Sequence, residues 1–296
     1  MTNVDFHLQL KQNETWNMSR LHFHDHFELL LPLTSPGNIF VNDQVYPLQR
    51  GTLYLIGENT LHRTMSTGQH ARYVLHISRK SLTRLSTAQT DFTRLMQDNF
   101  RRAALSDPEL EQLTEAFRSL EENKNDGSFG SDMRQMIALI HLLLQVSPLL
   151  NAATAGESIQ SIQNKDFLRI SPILDYIQEH LSQPLSLDQI ASQFYLSKHY
   201  LCRIFKAATG FSVMEYIIYS RILKARQLLQ EGVSVQQAGE LSGFSDNSHF
   251  IRTFGHLTGT SPGRYAKEYQ ASDPILMGKK PTALKSSKPF HAHHFE

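Results

Sequence analysis

Between His22 and Ser78 the apolar residues come in short runs: Glu28 to Leu33, Ile39 to Val41, Gln44 to Leu48, Thr52 to Ile56 and Arg72 to Ile77. Turn-forming residues separate them, among them Ser35-Pro36-Gly37, Asn42-Asp43 and Arg50-Gly51. Runs this short, repeating roughly every 8 to 12 residues, predict antiparallel strands that close into a barrel or sandwich. The pattern then changes period. Leu85 to Leu105, Pro108 to Leu120 and Met133 to Leu150 carry apolar residues at helical spacing, with a break from Asn123 to Gly130. In the third of these, Met133, Met136, Ile137, Ile140, Leu143 and Leu144 form one stripe, widened by Ala138, Leu139 and Leu142. A helix that apolar has to be covered, either by the barrel or by a second subunit. Asn151 to Asp166, rich in small and polar residues, reads as a linker. Phe167 to Leu181 predicts a helix that ends before Gln183-Pro184, and Ser212 to Glu231 a long helix stopped by Gly232.

From Ser186 to Tyr265 one pattern is written twice. Ser186-Leu187-Asp188-Gln189-Ile190-Ala191 matches Ser234-Val235-Gln236-Gln237-Ala238-Gly239, and Arg203-x-Phe205 matches Arg252-x-Phe254. Thr209-Gly210-x-Ser212 falls over Thr258-Gly259-x-Ser261, and Tyr216 over Tyr265. The offset is 48 at the start and 49 after the turn, so the second copy carries one extra residue. Each copy reads as helix, tight turn, helix. Ser186 with Gln189 forms a capping box, and Ser197 and Ser245 are expected to cap the helices that follow. Leu187, Ile190, Phe194, Tyr200, Leu201, Ile204, Phe205 and Ala208 supply the buried face of the first copy; Phe250, Phe254 and Leu257 serve the second. Ala191 and Gly239 leave room where two helices cross. The opposite faces carry Lys198, His199, Cys202, Arg203 and Lys206, and then Asn247, Ser248, His249, Ile251, Arg252 and His256. Arg, Lys, Asn and His on an exposed helix suit phosphates and base edges, although one such helix is equally well a solvated face of a bundle. Two matched copies favour nucleic acid.

These two motifs resemble the AraC/XylS family of transcription regulators. Ser197-x-x-Tyr200-Leu201-Cys202-Arg203-Ile204-Phe205-Lys206 with Thr209-Gly210 is similar to the family's first recognition helix. Gly243-Phe244-Ser245-Asp246-x-Ser248-x-Phe250-x-Arg252-x-Phe254, followed by Thr258-Gly259-x-Ser261-Pro262-x-x-Tyr265, is similar to its second. The resemblance implies double-stranded DNA as partner, RNA polymerase as a second one, and dimer contacts on the helical segment. A joining helix of about 20 residues, roughly 30 Å long, would hold the two recognition helices one turn of B-DNA apart. Two departures stand out. Gly255 replaces a Lys next to Phe254, and Ile251 replaces a commonly polar residue, where it would touch a thymine methyl or leave the second unit to orient the first.

In the barrel segment, His22-x-His24-x-His26-x-Glu28 alternates, which places all four on one face of a strand. With His62 after the Thr52 to Ile56 run, His22-x-His24-x-x-x-Glu28 resembles the two cupin motifs, and many AraC/XylS regulators resemble a cupin barrel joined to a DNA-binding domain. Three readings stay open for His22, His24, Glu28 and His62: an effector pocket without metal, a divalent metal site for Fe, Mn or Zn, and hydrogen bonding that is purely structural.

Composition narrows the class. The chain has 296 residues, enough for two cores, and a net charge of +1. Residues 166–270 carry 10 Lys and Arg against 9 Asp and Glu. That near balance excludes indiscriminate coating of nucleic acid and leaves specific readout by a few placed side chains. The single Cys202 forms no internal disulfide, and Met1 to His7 lacks a signal-like start. Ile137 to Val146, interrupted by His141 and Gln145, is expected to be too short and too polar to span a bilayer. A soluble, cytoplasmic α+β protein of two domains follows, with no membrane contact and no resident cofactor beyond the metal alternative. Its expected order is a cupin-like barrel (1–80), a helical dimerisation segment (81–150), a linker (151–166), an all-α double helix-turn-helix (167–270) and a disordered tail (271–296) containing His291, His293 and His294. The resemblance makes it a sequence-specific regulator under effector control and not an enzyme; the alternative is a cupin-type metalloenzyme with a helical appendage.

Overall fold

The computed structural model describes residues 4–17, 22–35, 37–96, 99–152 and 165–272; the expected linker lies mostly outside these residues and the expected tail almost entirely so. Among these residues seven strands form one antiparallel sheet: β1 (Phe6–Asn17), β2 (His26–Pro32), β3 (Gly37–Val41), β4 (Gln44–Leu48), β5 (Thr52–Ile56), β6 (His62–Ser78) and β7 (Phe100–Ala104). Their order is β4-β3-β6-β2-β5-β7, with β1 also on β6. The long β6 organises the rest. Its first residues pair with β3, Val41 opposite His62, and its later ones with β2, Glu28 opposite His76. Asn42 and Asp43, at φ 41° and 65°, make the two-residue hairpin turn between β3 and β4 that their sequence predicts.

Alternation along these strands sorts two cores. Leu30, Ile39, Val41, Leu48, Tyr54, Ile56 and Val74 pack together on one face. Tyr46 of β4 stacks on Phe100 of β7 at 4.8 Å, so strands from opposite ends of the order meet and the sheet curls around this core as a barrel. On the other face, Phe27, Leu29, Leu31, Leu53, Leu55, Leu75 and Ile77 pack against three helices, α1 (Arg79–Leu85), α2 (Asp107–Glu122) and α3 (Ser131–Ala152). Burial on both faces explains why β2 reads as a continuous apolar run.

Two expectations change here. Leu85 to Leu105 is not a helix: it holds the end of α1, a 3-10 turn at Phe92–Met96, and β7. The sequence Phe-Arg-Arg-Ala-Ala has little strand preference, and its pairing with the open edge of β5 decides the matter. Second, α3 is long and apolar enough to cross a membrane by length and composition alone. It is a core helix: Leu139, Leu142, Leu143, Val146 and Leu150 are buried against the sheet side of the protein. The expected single stripe divides, and Met133, Ile137 and Leu144 remain exposed.

Among the described residues seven further helices follow: α4 (Lys165–Glu179), α5 (Leu187–Gln193), α6 (Lys198–Thr209), α7 (Val213–Gln230), α8 (Val235–Leu241), α9 (Asn247–Thr258) and α10 (Pro262–Ser272). The chain forms two compact units. The first joins the barrel to α4, α5, α6 and α7 as far as Ser220; the second runs from Arg221 onward and includes Ser182–Pro184.

Candidate nucleic-acid interface and histidine cluster

The duplicated motifs are α5-turn-α6 and α8-turn-α9. Ser186 accepts from the Gln189 amide and Gln189 reaches back, completing the predicted capping box. Both first helices end in the same six-to-one turn: Leu196 donates to Ala191 O at 2.8 Å, and Phe244 to Gly239 O at 3.0 Å. The left-handed residue at this turn is Tyr195 in one motif and Gly243 in the other. Gly239 is required for packing, because a methyl there would lie 2.8 Å from the Phe250 ring.

Ser197 caps α6 through the Tyr200 amide, as expected. Ser245 does not cap α9; Asp246 does, accepting from His249 N. The extra residue of the second copy therefore sits in the turn, between Phe244 and the cap. Buried Leu201, Phe205, Phe250 and Phe254 fix each second helix. This leaves Lys198, His199, Arg203 and Lys206 exposed on α6, with Cys202 half-buried, and Asn247, Ser248, His249, Ile251 and Arg252 exposed on α9. Lys198 pairs with Asp188 at 2.8 Å, and the Arg203 guanidinium lies over the Tyr200 ring.

In the barrel, the four residues singled out by the motif do converge. His22, His24, Glu28 and His62 place one ligand atom each within 4.8 Å of one another. The route differs from the expected single strand. Only Glu28 lies within β2; His22 arrives through an isolated bridge to His62, with backbone bonds of 3.3 and 3.0 Å. His26 stays outside the four and faces Asp5 at 3.9 Å. His76, which sequence reasoning missed, donates to Glu28 at 3.0 Å because β2 and β6 set the two opposite each other.

The proton positions follow from the partners. His24 Nδ1 lies 2.8 Å from His26 O and His62 Nδ1 lies 2.9 Å from Thr60 O; a carbonyl only accepts, so both Nδ1 atoms carry hydrogen. In the neutral rings each Nε2 is then a lone pair, and both lie near the Glu28 carboxylate, at 3.1 and 3.5 Å. Lone pairs facing a carboxylate require a proton or another cation among them. Burial alone would raise the Glu28 pKa; hydrogen bonds donated by His24, His62 and His76, which need a proton on the nitrogen that faces the carboxylate, outweigh it and hold the carboxyl well below its ordinary range. Burial first, then His62, lowers the His22 pKa to about 3, so this imidazole is neutral and able to coordinate. Imidazoles locked through Nδ1–H and aimed by Nε2 are the arrangement of a metal-ligand set with its supporting hydrogen bonds.

Comparison with known proteins agrees with both regions. Residues 3–143 match the family described as AraC-like ligand binding domain, and residues 190–268 match a helix-turn-helix domain family. The chain is 28% identical over 278 residues to the uncharacterized HTH-type transcriptional regulator YfiF of Bacillus subtilis, covering 91% of this chain and 83% of that one. It is 25% identical over 256 residues to the HTH-type transcriptional activator RhaR of Pectobacterium carotovorum, covering 84% and 86%. Among solved structures, an apo ToxT variant of Vibrio cholerae is 15% identical, covers 90% of this chain and 98% of that one, and has a TM-score of 0.36. The matched families and relatives are regulators, not enzymes.

Proposed function

Since the chain belongs to the AraC/XylS regulators, DNA-binding proteins of transcription with an N-terminal ligand-binding domain, we propose that its DNA occupancy is set by a ligand held at His22, His24, Glu28 and His62. The observation that carries this is the convergence of four donors on one point, with the outer nitrogens of His24 and His62 already tied to backbone carbonyls. A small guest bearing hydroxyl, amine or carboxylate groups fits such donors. To regulate, it must bind two arrangements of the protein unequally; a coupling of about 1 to 3 kcal/mol changes operator affinity roughly 5- to 150-fold.

A second reading is favoured by the lone pairs of His24 and His62 that face Glu28: a divalent transition metal is the ligand, or anchors it. Three imidazoles and one carboxylate suit Fe, Mn or Zn. When bound, the ion would supply the missing positive charge among these groups. The residues' own part is to hold their Nε2 and carboxylate atoms in place.

DNA contacts are assigned to Lys198, His199, Cys202, Arg203 and Lys206 of α6 and to Asn247, Ser248, His249, Ile251 and Arg252 of α9. The protein acts in the cytoplasm as a homodimer, with Met133, Ile137 and Leu144 of α3 as the contact stripe; their exposure supports this. RhaR is named an activator, and by that likeness RNA polymerase is the second macromolecular partner. Metal analysis of purified protein tests the ligand class. Near one equivalent, lost in His24→Ala/His62→Ala, supports the metal; metal-free protein whose DNA occupancy still responds to the native inducing condition supports the organic guest. Normal response in both His variants and in Glu28→Gln would make the cluster structural.

A further inference from the structure

The first compact unit contains a contact that no DNA-reading or ligand-holding role explains. The hairpin turn of β3 and β4 reaches the helices on either side of the first helix-turn-helix, where Asp43 accepts a hydrogen bond from the Tyr216 hydroxyl of α7 and one at 3.4 Å from Gln178 of α4. Beside it the Phe40 and Phe211 rings meet edge to face at 5.1 Å, and Phe23 meets Tyr219 at 6.1 Å. Burial raises the Asp43 pKa, and that of Tyr216 lies well above its ordinary range, as expected of a hydroxyl and carboxylate withdrawn from water.

One residue after His62, β6 makes a second attachment. Successive residues of a strand point to opposite faces, so His62 joins the cluster while Arg63 points the other way. The Arg63 guanidinium lies against Gly210, the left-handed C-cap of α6, so closely that a methyl on Gly210 would overlap Nη1. A buried cation at a helix C-terminus faces the negative end of the helix dipole. Arg63 also feels Glu215 at the start of α7. Neighbouring residues of β6 therefore belong to the cluster, through His62, and rest against the C-cap of α6, through Arg63.

We propose that Asp43 and Arg63 form a latch through which the state of the histidine cluster sets the orientation of α6. The proposal rests on the cluster being the control site. It does not act by covering the DNA face, because Lys198, His199, Arg203 and Lys206 stay exposed with the latch closed. Movement at His62 is carried along β6 to Arg63 and the α6 C-cap, while Asp43 holds α4 and α7 against the barrel.

A mutant cycle on the full chain tests this, using a duplex selected by the wild-type protein from a randomised library and anisotropy at one salt concentration. Glu28→Gln perturbs the cluster, and Asp43→Gly with Arg63→Gln opens the latch; Gly keeps the positive φ of the turn. Tyr216→Phe, which keeps the buried ring, is the milder second opening. Hydrogen exchange of Phe211 to Tyr219 should quicken when the latch opens. Glu28→Gln should shift DNA affinity about 5-fold or more in the latched chain and less than about 2-fold in either opened one. An equal shift in all three backgrounds overturns the latch and leaves the cluster as control site. No shift in any background overturns both. Unchanged exchange at Phe211 to Tyr219 in both opened variants also overturns the latch, since the contact would then hold nothing in solution.

Discussion

Both helix-turn-helix motifs cap the second helix with a side chain and end the first in a six-to-one turn, and four of the positions at which they differ carry a physical cost. Where the two helices of a motif cross, the first has Ala191, and the second has Gly239 with no space for a methyl. At the left-handed turn position the first has exposed Tyr195 at φ 54° and the second Gly243 at φ 96°. The cap is neutral Ser197 in one and anionic Asp246 in the other. Finally, Lys206 in the last turn of α6 matches Gly255 in α9. The second motif is thus tuned for tight crossing and an unstrained turn, while the first keeps more positive charge on its exposed face. On this ground we expect the first motif to read DNA more strongly and the second to contribute more to orientation.

The largest expected effect separates the motifs by packing. Gly239→Ala should destabilise the second motif by about 1 to 3 kcal/mol, the usual cost of overpacking, whereas Ala191→Gly should cost about 1 kcal/mol through helix propensity. Thermal or denaturant unfolding of the full chain, with exchange followed at α5 and α6 for Ala191→Gly and at α8 and α9 for Gly239→Ala, reads both. Comparable to this on the DNA side, Arg203→Ala should cost roughly 1 to 3 kcal/mol of specific binding, and Arg252→Ala less. Titration against the selected duplex decides; a larger loss at Arg252 would reverse the ranking of the motifs.

Gly255→Lys should bring the second motif closer to the first. The position is open, its nearest neighbour to an added Cβ being Thr260 O at 3.9 Å. The new cation should tighten binding and steepen the salt dependence by about one phosphate contact, while the helix gains up to about 1 kcal/mol from losing a glycine. An unchanged salt slope would show that this face does not meet the backbone of DNA. The smallest effect is at the turn: Tyr195→Gly should stabilise the first motif by about 1 kcal/mol by relieving a left-handed tyrosine. If it also weakens DNA binding, the exposed ring belongs to the interface.

Most of what the motifs contain was legible because it is local. Capping residues, the glycine at the crossing, and the Asn42-Asp43 turn each act within a few positions of themselves. The one-residue insertion was legible too, but its place was not: Ser245 and Asp246 are both good caps, and only the turn geometry picks Asp246. The cluster was half legible. His22, His24, Glu28 and His62 stand out by type and spacing, but His76 becomes a partner of Glu28 only through the register of β6 on β2, which no spacing encodes. Likewise β7 depends on the open edge of β5, and the Asp43 and Arg63 contacts depend on where a hairpin meets a helix 173 positions away from Asp43 in sequence.

If the paired motifs read a particular sequence, one titration shows it. Wild-type protein at physiological salt is titrated with the selected duplex and with a scrambled duplex of equal length and composition. Binding to the selected duplex should be tighter by about 10³-fold or more, the range that separates specific from non-specific binding. Equal affinity for the two would contradict it.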